Sequence, residues 1–367
     1  MSEVYAVRRT RLRERCNASG STAALVSRPA NVRYLAGAAP ENAVLLLGRT
    51  EDVLVCPEPP DDRTPHSRPD EALRLHLMSG IGGDPAVEAA ALATAQDVDA
   101  LAVEEHHLTV TRHRAIGEAA PRLRLTGVAG AVEQLRVVKD EEEISCLRIG
   151  AEIADQALGE LLESILVGRT ERHLALELER RLVDHGADGP AFPPPWPPAP
   201  RRPPGHRPTD RRVEEGDFLS VCLGATYRGY RCEIGRTFVI GTAPADWQIE
   251  LYDLVFSAQR AGRESLAPGA ACRDVDRAAR QVLDSAGYAE ALPVLTGHGV
   301  GLEIDEDPQL TPAAMGKLDA CVPVTVEPGV HLPGRGGVRI DDTLVVRPEA
   351  DGGPELLTIT TKELLAL

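Results

Sequence analysis

The sequence predicts a two-domain α+β protein, with a small α/β domain over residues 1–130 and a larger domain over residues 131–367. Three observations carry that expectation. At 367 residues the chain is long enough for two domains and a sizeable core. Short helix and strand signals alternate as far as Leu125. Beyond Ala131, long helical periodicities are segregated from blocks of strand-like sequence, which favours a mostly antiparallel sheet covered by helices.

Taken in order, Val7 to Ser19 reads as a basic helix ended near Gly20, and Ala23 to Val26 as an apolar strand. In the segment RPANVRYLAG, Pro29 and Asn31 signal a turn. Glu41–Gly48 and Asp52–Cys56 read as two further strands, and residues 57–71, rich in Pro and Asp, as an exposed loop. In the second domain Ile144, Leu147, Ala151, Ala154, Leu158, Leu161 and Ile165 recur at three- and four-residue spacings, one face of an amphipathic helix. Asp140 to Glu143 give that helix an acidic first turn, which its dipole favours. Thr170 is a suitable N-cap for a second helix that stops at Gly186; Ala245–Leu266 and Asp274–Ala286 predict two more. The proline-rich run from Phe192 to Pro208 cannot sustain a strand ladder; its place before the central hairpin suggests a loop at the rim of a cleft, with a solvated linker or a ligand for a proline-binding module as the alternative.

Composition narrows the function. A formal charge of −16 argues against nucleic acid or an anionic membrane as the main partner. No apolar run approaches the length of a membrane span. The seven cysteines are scattered and form no CxxC pair, which predicts free thiols and a cytoplasmic setting.

The chemistry is expected around a hairpin, Leu219–Leu223 and Arg231–Ile240, joined by a Gly/Tyr-rich turn. Alternate strand residues share a face, so Leu219, Val221 and Leu223 point one way and Ser220 and Cys222 the other. Pairing across the turn lets Cys222 face Glu233. His298 in a Gly-rich segment, Glu327 in TVEPG and Asp341 in GGVRIDDT can join them. Each of the four strand candidates is a polar residue flanked by apolar ones. A carboxylate held inward in that way must be paired, protonated or bound to a cation. An arginine such as Arg236 or Arg339 could provide the pairing. Carboxylates with one imidazole also suit Mn, Co, Fe or Zn.

The segments RLRERCNASG, AALVSRPANVRYLAG, VVKDEEEISCLRIGAEIAD, RPTDRRVEEGDFL, GRTFVIG, GHGVGLEIDEDP, VEPGV and GGVRIDDT, in this order, resemble the creatinase/prolidase (pita-bread) family over nearly the whole chain. That family holds Xaa-Pro aminopeptidases, prolidases, methionine aminopeptidases and creatinase. The resemblance implies a creatinase/prolidase-type N-terminal domain and a C-terminal pita-bread domain. The family's metal-ligand positions fall on Cys222, Glu233, His298, Glu327 and Asp341, where Cys222, Glu233 and Asp341 differ from the family's Asp, Asp and Glu. Its catalytic histidines fall on Asp305, on Val294, and on Gly205 or His206. The catalytic set implied is His206, His298 and Glu327, with Arg339 as a carboxylate anchor. The expectation is a diverged hydrolase that cleaves an amide or other C–N bond of a small-molecule or short-peptide substrate with one divalent metal or none. A conventional two-metal Xaa-Pro peptidase and a non-catalytic binding scaffold are the alternatives. The resemblance also implies a homodimer. The acidic run Glu303–Pro308 and the pair His106-His107 are read as structural.

Overall fold

The computed structural model describes residues 2–60, 68–79, 82–165, 167–192 and 208–367. The chain forms two compact units, Met1–Arg136 and Val137–Leu367.

The first unit runs α1 (Ser2–Ala18), β1 (Ala23–Val26), α2 (Pro29–Ala36), β2 (Val44–Leu47), β3 (Asp52–Cys56), β4 (Arg74–Leu77), α3 (Pro85–Ala95), β5 (Ala100–Val103), α4 (Val110–Ala119), β6 (Arg124–Gly127) and α5 (Ala131–Arg136). Its strands form one six-stranded mixed sheet in the order β4-β3-β2-β1-β5-β6. The central strands β1, β2 and β5 are buried along their whole length, as expected of continuous apolar runs covered on both faces. The segment read as a turn at Pro29 and Asn31 is instead helix α2. Proline is well placed at a first helical position, where its missing N–H would have no partner. The carboxylate of Glu104 fixes the entry to the helix from outside, accepting from the amides of Ser27 (2.6 Å) and Arg28 (2.8 Å) and from Asn31 Nδ2 (2.6 Å). An anchor contributed by a residue so distant in sequence has no local signature.

The second unit runs α6 (Glu141–Leu162), α7 (Glu171–Asp184), β7 (Gly189–Pro190), β8 (Phe218–Leu223), β9 (Ala225–Tyr227), β10 (Tyr230–Arg231), β11 (Ile234–Val239), α8 (Asp246–Glu264), α9 (Cys272–Ser285), β12 (Gly297–Gly299), β13 (Glu306–Leu310), β14 (Pro323–Val326), β15 (Gly329–Leu332), β16 (Gly336–Arg339), β17 (Asp342–Val345) and β18 (Glu355–Leu356). Helix α6 begins with a reciprocal capping box between Asp140 and Glu143. Its apolar stripe, from Ile144 to Leu161, packs against α7 and against Leu219, Val221 and Leu223 of β8. Burying a leucine or isoleucine there stabilises the fold by roughly 1.5–3 kcal/mol each. The strands pair antiparallel, in the order β13-β12-β14-β17-β18, with β8 against β11 and β15 against β16. A bridge between Gly235 and Asp341 links β11 to the start of β17.

The expected second strand of the hairpin, Arg231–Ile240, is broken. Two residues, Tyr230 and Arg231, pair with β9; the ladder with β8 starts only at Ile234 opposite Leu223. Cys222 therefore faces Gly235, and Glu233 lies in the gap between β10 and β11.

Candidate metal centre

The second unit delivers its site residues from the ends of strands. Glu233 precedes β11, His298 is the middle residue of β12, Glu327 follows β14, Arg339 closes β16 and Asp341 precedes β17. For each carboxylate an apolar neighbour is sunk in a core: Cys232 and Ile234 flank Glu233, Val326 precedes Glu327 and Ile340 precedes Asp341. Alternation then turns the polar side chain to the opposite face.

Glu233, His298, Glu327 and Asp341 are all buried. His298 Nε2 stands 3.4 Å from Glu233 Oε1 and 3.5 Å from Glu327 Oε1. One ligand atom from each of the three lies within 4.8 Å of the others, and no other such group occurs among the described residues. His298 Nδ1 lies 3.1 Å from the carbonyl of Gly299, an acceptor, so Nδ1 carries a proton and Nε2 is the atom turned to the carboxylates. Arg339 Nη2 contacts Glu327 Oε2 and donates to Asp341 Oδ2 at 3.3 Å.

Three buried carboxylates against one guanidinium leave two negative charges uncompensated, which a low-dielectric site does not tolerate. The protonation states respond to that excess. Burial alone would lower the pKa of His298, but the hydrogen bond and charge of Glu233 reverse this and raise it to about 9. Burial and the neighbouring Glu233 charge push Asp341 well above the usual carboxylate range, against the opposing pull of Arg339. Both shifts favour the protonated form and so work against the excess of negative charge, in the same electrostatic direction as a divalent cation. Asp341 Oδ1 is buried with no hydrogen-bond partner, and Glu233 Oε1 has only His298 Nε2, at the long distance of 3.4 Å. Under-satisfied buried oxygens of this kind fit a cation, and Glu233, His298 and Glu327 are the residues that would hold it.

Cys222 is buried on β8, beside the space that Gly235 leaves open. A Cβ on Gly235 would come within 2.6 Å of Asp341 Cβ and 3.2 Å of Cys222 Sγ, so a glycine is required for the two strands to approach. Burial raises the Cys222 thiol to about 12, so it is protonated at neutral pH. It stands outside the group of three. Arg339, expected as an anchor for a substrate carboxylate, is engaged by Glu327 and Asp341. Arg236, expected as a pairing partner for one of the candidate carboxylates, binds the buried carboxylate of Asp342 at 2.8 Å instead. His206 and residues 193–207 of the proline-rich run lie outside the described residues. Asp305 accepts from Gln309, and Val294 is exposed. Glu306, in the acidic run, pairs with buried Lys139 at 3.0 Å.

Sequence reasoning missed three buried threonines that grip the site residues through their backbones. Thr343 Oγ1 accepts from the Glu233 amide (3.2 Å) and donates to its carbonyl (2.7 Å). Thr325 Oγ1 accepts from the His298 amide (3.1 Å), and Thr237 Oγ1 both accepts from and donates to the backbone of Arg339. The available signal was period two: Thr325 and Thr343 are each two residues from a candidate carboxylate, hence on its face.

A family model described as metallopeptidase family M24 matches residues 145–348, and one described as creatinase/prolidase N-terminal domain matches residues 8–138. The Xaa-Pro dipeptidase of Pyrococcus furiosus is 36% identical over 241 residues, which is 64% of this chain and 66% of the relative. The alignment thus spans about two thirds of that relative's length. Among solved structures, the Xaa-Pro dipeptidase from Bacillus anthracis superposes with a TM-score of 0.91 at 31% identity, covering 99% of this chain and 100% of the other. The X-Pro aminopeptidase from Thermotoga maritima does so with a TM-score of 0.85 at 28% identity, covering 96% and 100%. The two-domain α+β expectation is borne out by these likenesses.

Proposed function

The chain belongs to metallopeptidase family M24, a family of hydrolases, and from that premise we propose that it cleaves an amide or other C–N bond of a small peptide-like substrate with a single divalent cation. The observation that carries this reading is the buried cluster of Glu233, His298 and Glu327. A cation held there would supply Lewis acidity and charge neutralisation. Glu327 is the proton acceptor: its Oε1 faces the imidazole, while Arg339 fixes its other oxygen and so its orientation. His298 Nε2, between two carboxylates, is the group that holds and returns a proton when no cation occupies it. Asp341 balances Arg339. Because relatives are called Xaa-Pro dipeptidases, Xaa-Pro dipeptides are the first substrates to test.

The contact of Arg339 with Glu327 favours a second reading, hydrolysis with no metal, in which the guanidinium and protonation within the cluster carry the balance of charge. Metal analysis of protein purified without chelator separates the two. One equivalent supports the single-cation enzyme, and none with retained turnover supports the second. Two equivalents with turnover of Xaa-Pro dipeptides would overturn both in favour of a conventional two-metal peptidase. Under either reading, Glu327→Gln is expected to lower kcat by about 10²–10⁴-fold, with the protein still folded by circular dichroism. No helix among the described residues is long and apolar enough to cross a membrane. All seven cysteines are free, which fits a reducing, cytoplasmic setting. We expect a homodimer, which light scattering on the purified protein would test.

A further inference from the structure

Thr325 and Thr343 face each other directly across the β14–β17 ladder, and both are fully buried. Each turns its hydroxyl outward from that ladder to a different residue of the cluster, Thr343 to Glu233 and Thr325 to His298. Glu327 and Asp341 lie just past the end of the same ladder, one step beyond the pairing of Val326 with Asp342. The break between β10 and β11 explains why Glu233 needs such a partner. It belongs to neither strand, so its amide and carbonyl have no ladder to join, and a buried backbone group left unpaired is destabilising. One hydroxyl of Thr343 satisfies both groups, and threonine's stiff χ1 holds that hydroxyl in place.

We infer that the Thr325–Thr343 pair is a positioning device that sets the spacing between Glu233 and His298 and so fixes the opening into which a cation fits. Neither threonine is a ligand. They act through the backbone of the residues that are. The inference rests on the single-cation reading given above, and the test keeps the two apart.

Thr343→Val preserves shape and removes the hydroxyl, whereas Thr343→Ser keeps the hydroxyl. Calorimetric titration of the full chain with Mn²⁺ and Zn²⁺ should show affinity reduced by about 10–100-fold in Thr343→Val, the range typical of lost supporting hydrogen bonds, and restored in Thr343→Ser. Crystal structures of the metal-free wild type and Thr343→Val should show Glu233 withdrawn from His298 in the variant, with both strands otherwise unmoved. Wild-type affinity in Thr343→Val together with an unshifted Glu233 would overturn the inference. So would equal losses of melting temperature in both variants with unchanged affinity, because that is what a purely structural threonine gives. If the wild type binds neither metal, the cation reading fails, and the metal-free crystal structures still decide whether Thr343 positions Glu233.

Discussion

Cys222 shows how the protonation of one side chain decides the character of the site. As a thiolate it would be a soft ligand and would favour zinc. Buried on β8, with Asp341 and Glu233 adding to the effect and Arg339 opposing it, its thiol is raised to about 12 and stays protonated at neutral pH. It also stands outside the cluster of Glu233, His298 and Glu327. Cys222→Ala is therefore expected to change Zn²⁺ affinity less than about tenfold, below the loss that follows removal of even a supporting residue. Calorimetric titration checks this, and a loss of about a hundredfold or more would make Cys222 a ligand. A second residue carries a pH signature in the first unit. Burial alone would raise the Glu133 carboxyl, but hydrogen bonds from Asn31, its own backbone amide and His106 bring it down to about 2. The folded state then binds fewer protons than the unfolded state below the ordinary value of 4.5. The stabilisation is fully present above that value and is lost as pH falls towards 2, by on the order of 2–3 kcal/mol. Hydrogen exchange of the α2 amides between pH 5 and pH 3 should show this loss of protection in the wild type and little of it in Glu133→Gln.

At the scale of elements, the long helices were legible and the broken strand was not. The stripe from Ile144 to Ile165 and the acidic start at Asp140 define α6 because both signals are local. The face of β8 was also legible: Leu219, Val221 and Leu223 enter the core while Ser220 and Cys222 turn away from it. The partner of Cys222 was not, because register depends on where the ladder restarts after β10, and that is set by tertiary pairing with β9. Four of the five candidate ligand positions were readable from polar residues wedged between apolar ones, and His298 from its Gly-rich segment. Their division into a cluster of three, an Arg339-bound Asp341 and a neutral Cys222 needed distances and burial. Gly235 belongs to this scale, since it is where β8, β11 and the start of β17 meet. Gly235→Ala would set a Cβ against Asp341 and Cys222. It should destabilise the fold by about 1–3 kcal/mol, as overpacking commonly does, and displace Asp341. Chemical denaturation would give the first effect and a crystal structure the second; an unmoved Asp341 at full stability would refute the argument.

For the whole molecule, the charge imbalance of the site ties stability to metal in one unit only. All members of the cluster come from the second unit, which also holds both faces of the β14–β17 ladder and the C-terminal segment paired with β11. A cation that binds only the folded cluster stabilises it by about 2.7 kcal/mol at a hundredfold excess over its dissociation constant. The first unit has its own six-stranded sheet and its own apolar core and gains nothing directly from that binding. Hydrogen exchange with and without Mn²⁺ is the decisive measurement, because it reads each unit separately. Protection should rise across β11, β12, β14 and β17 and stay constant across β1, β2 and β5. Chelator should reverse the rise in wild type, and Glu327→Gln should blunt it. A uniform rise in both units would mean that the two share one cooperative transition, and no rise in either would mean that the cluster is neutralised by its own protons and Arg339 alone.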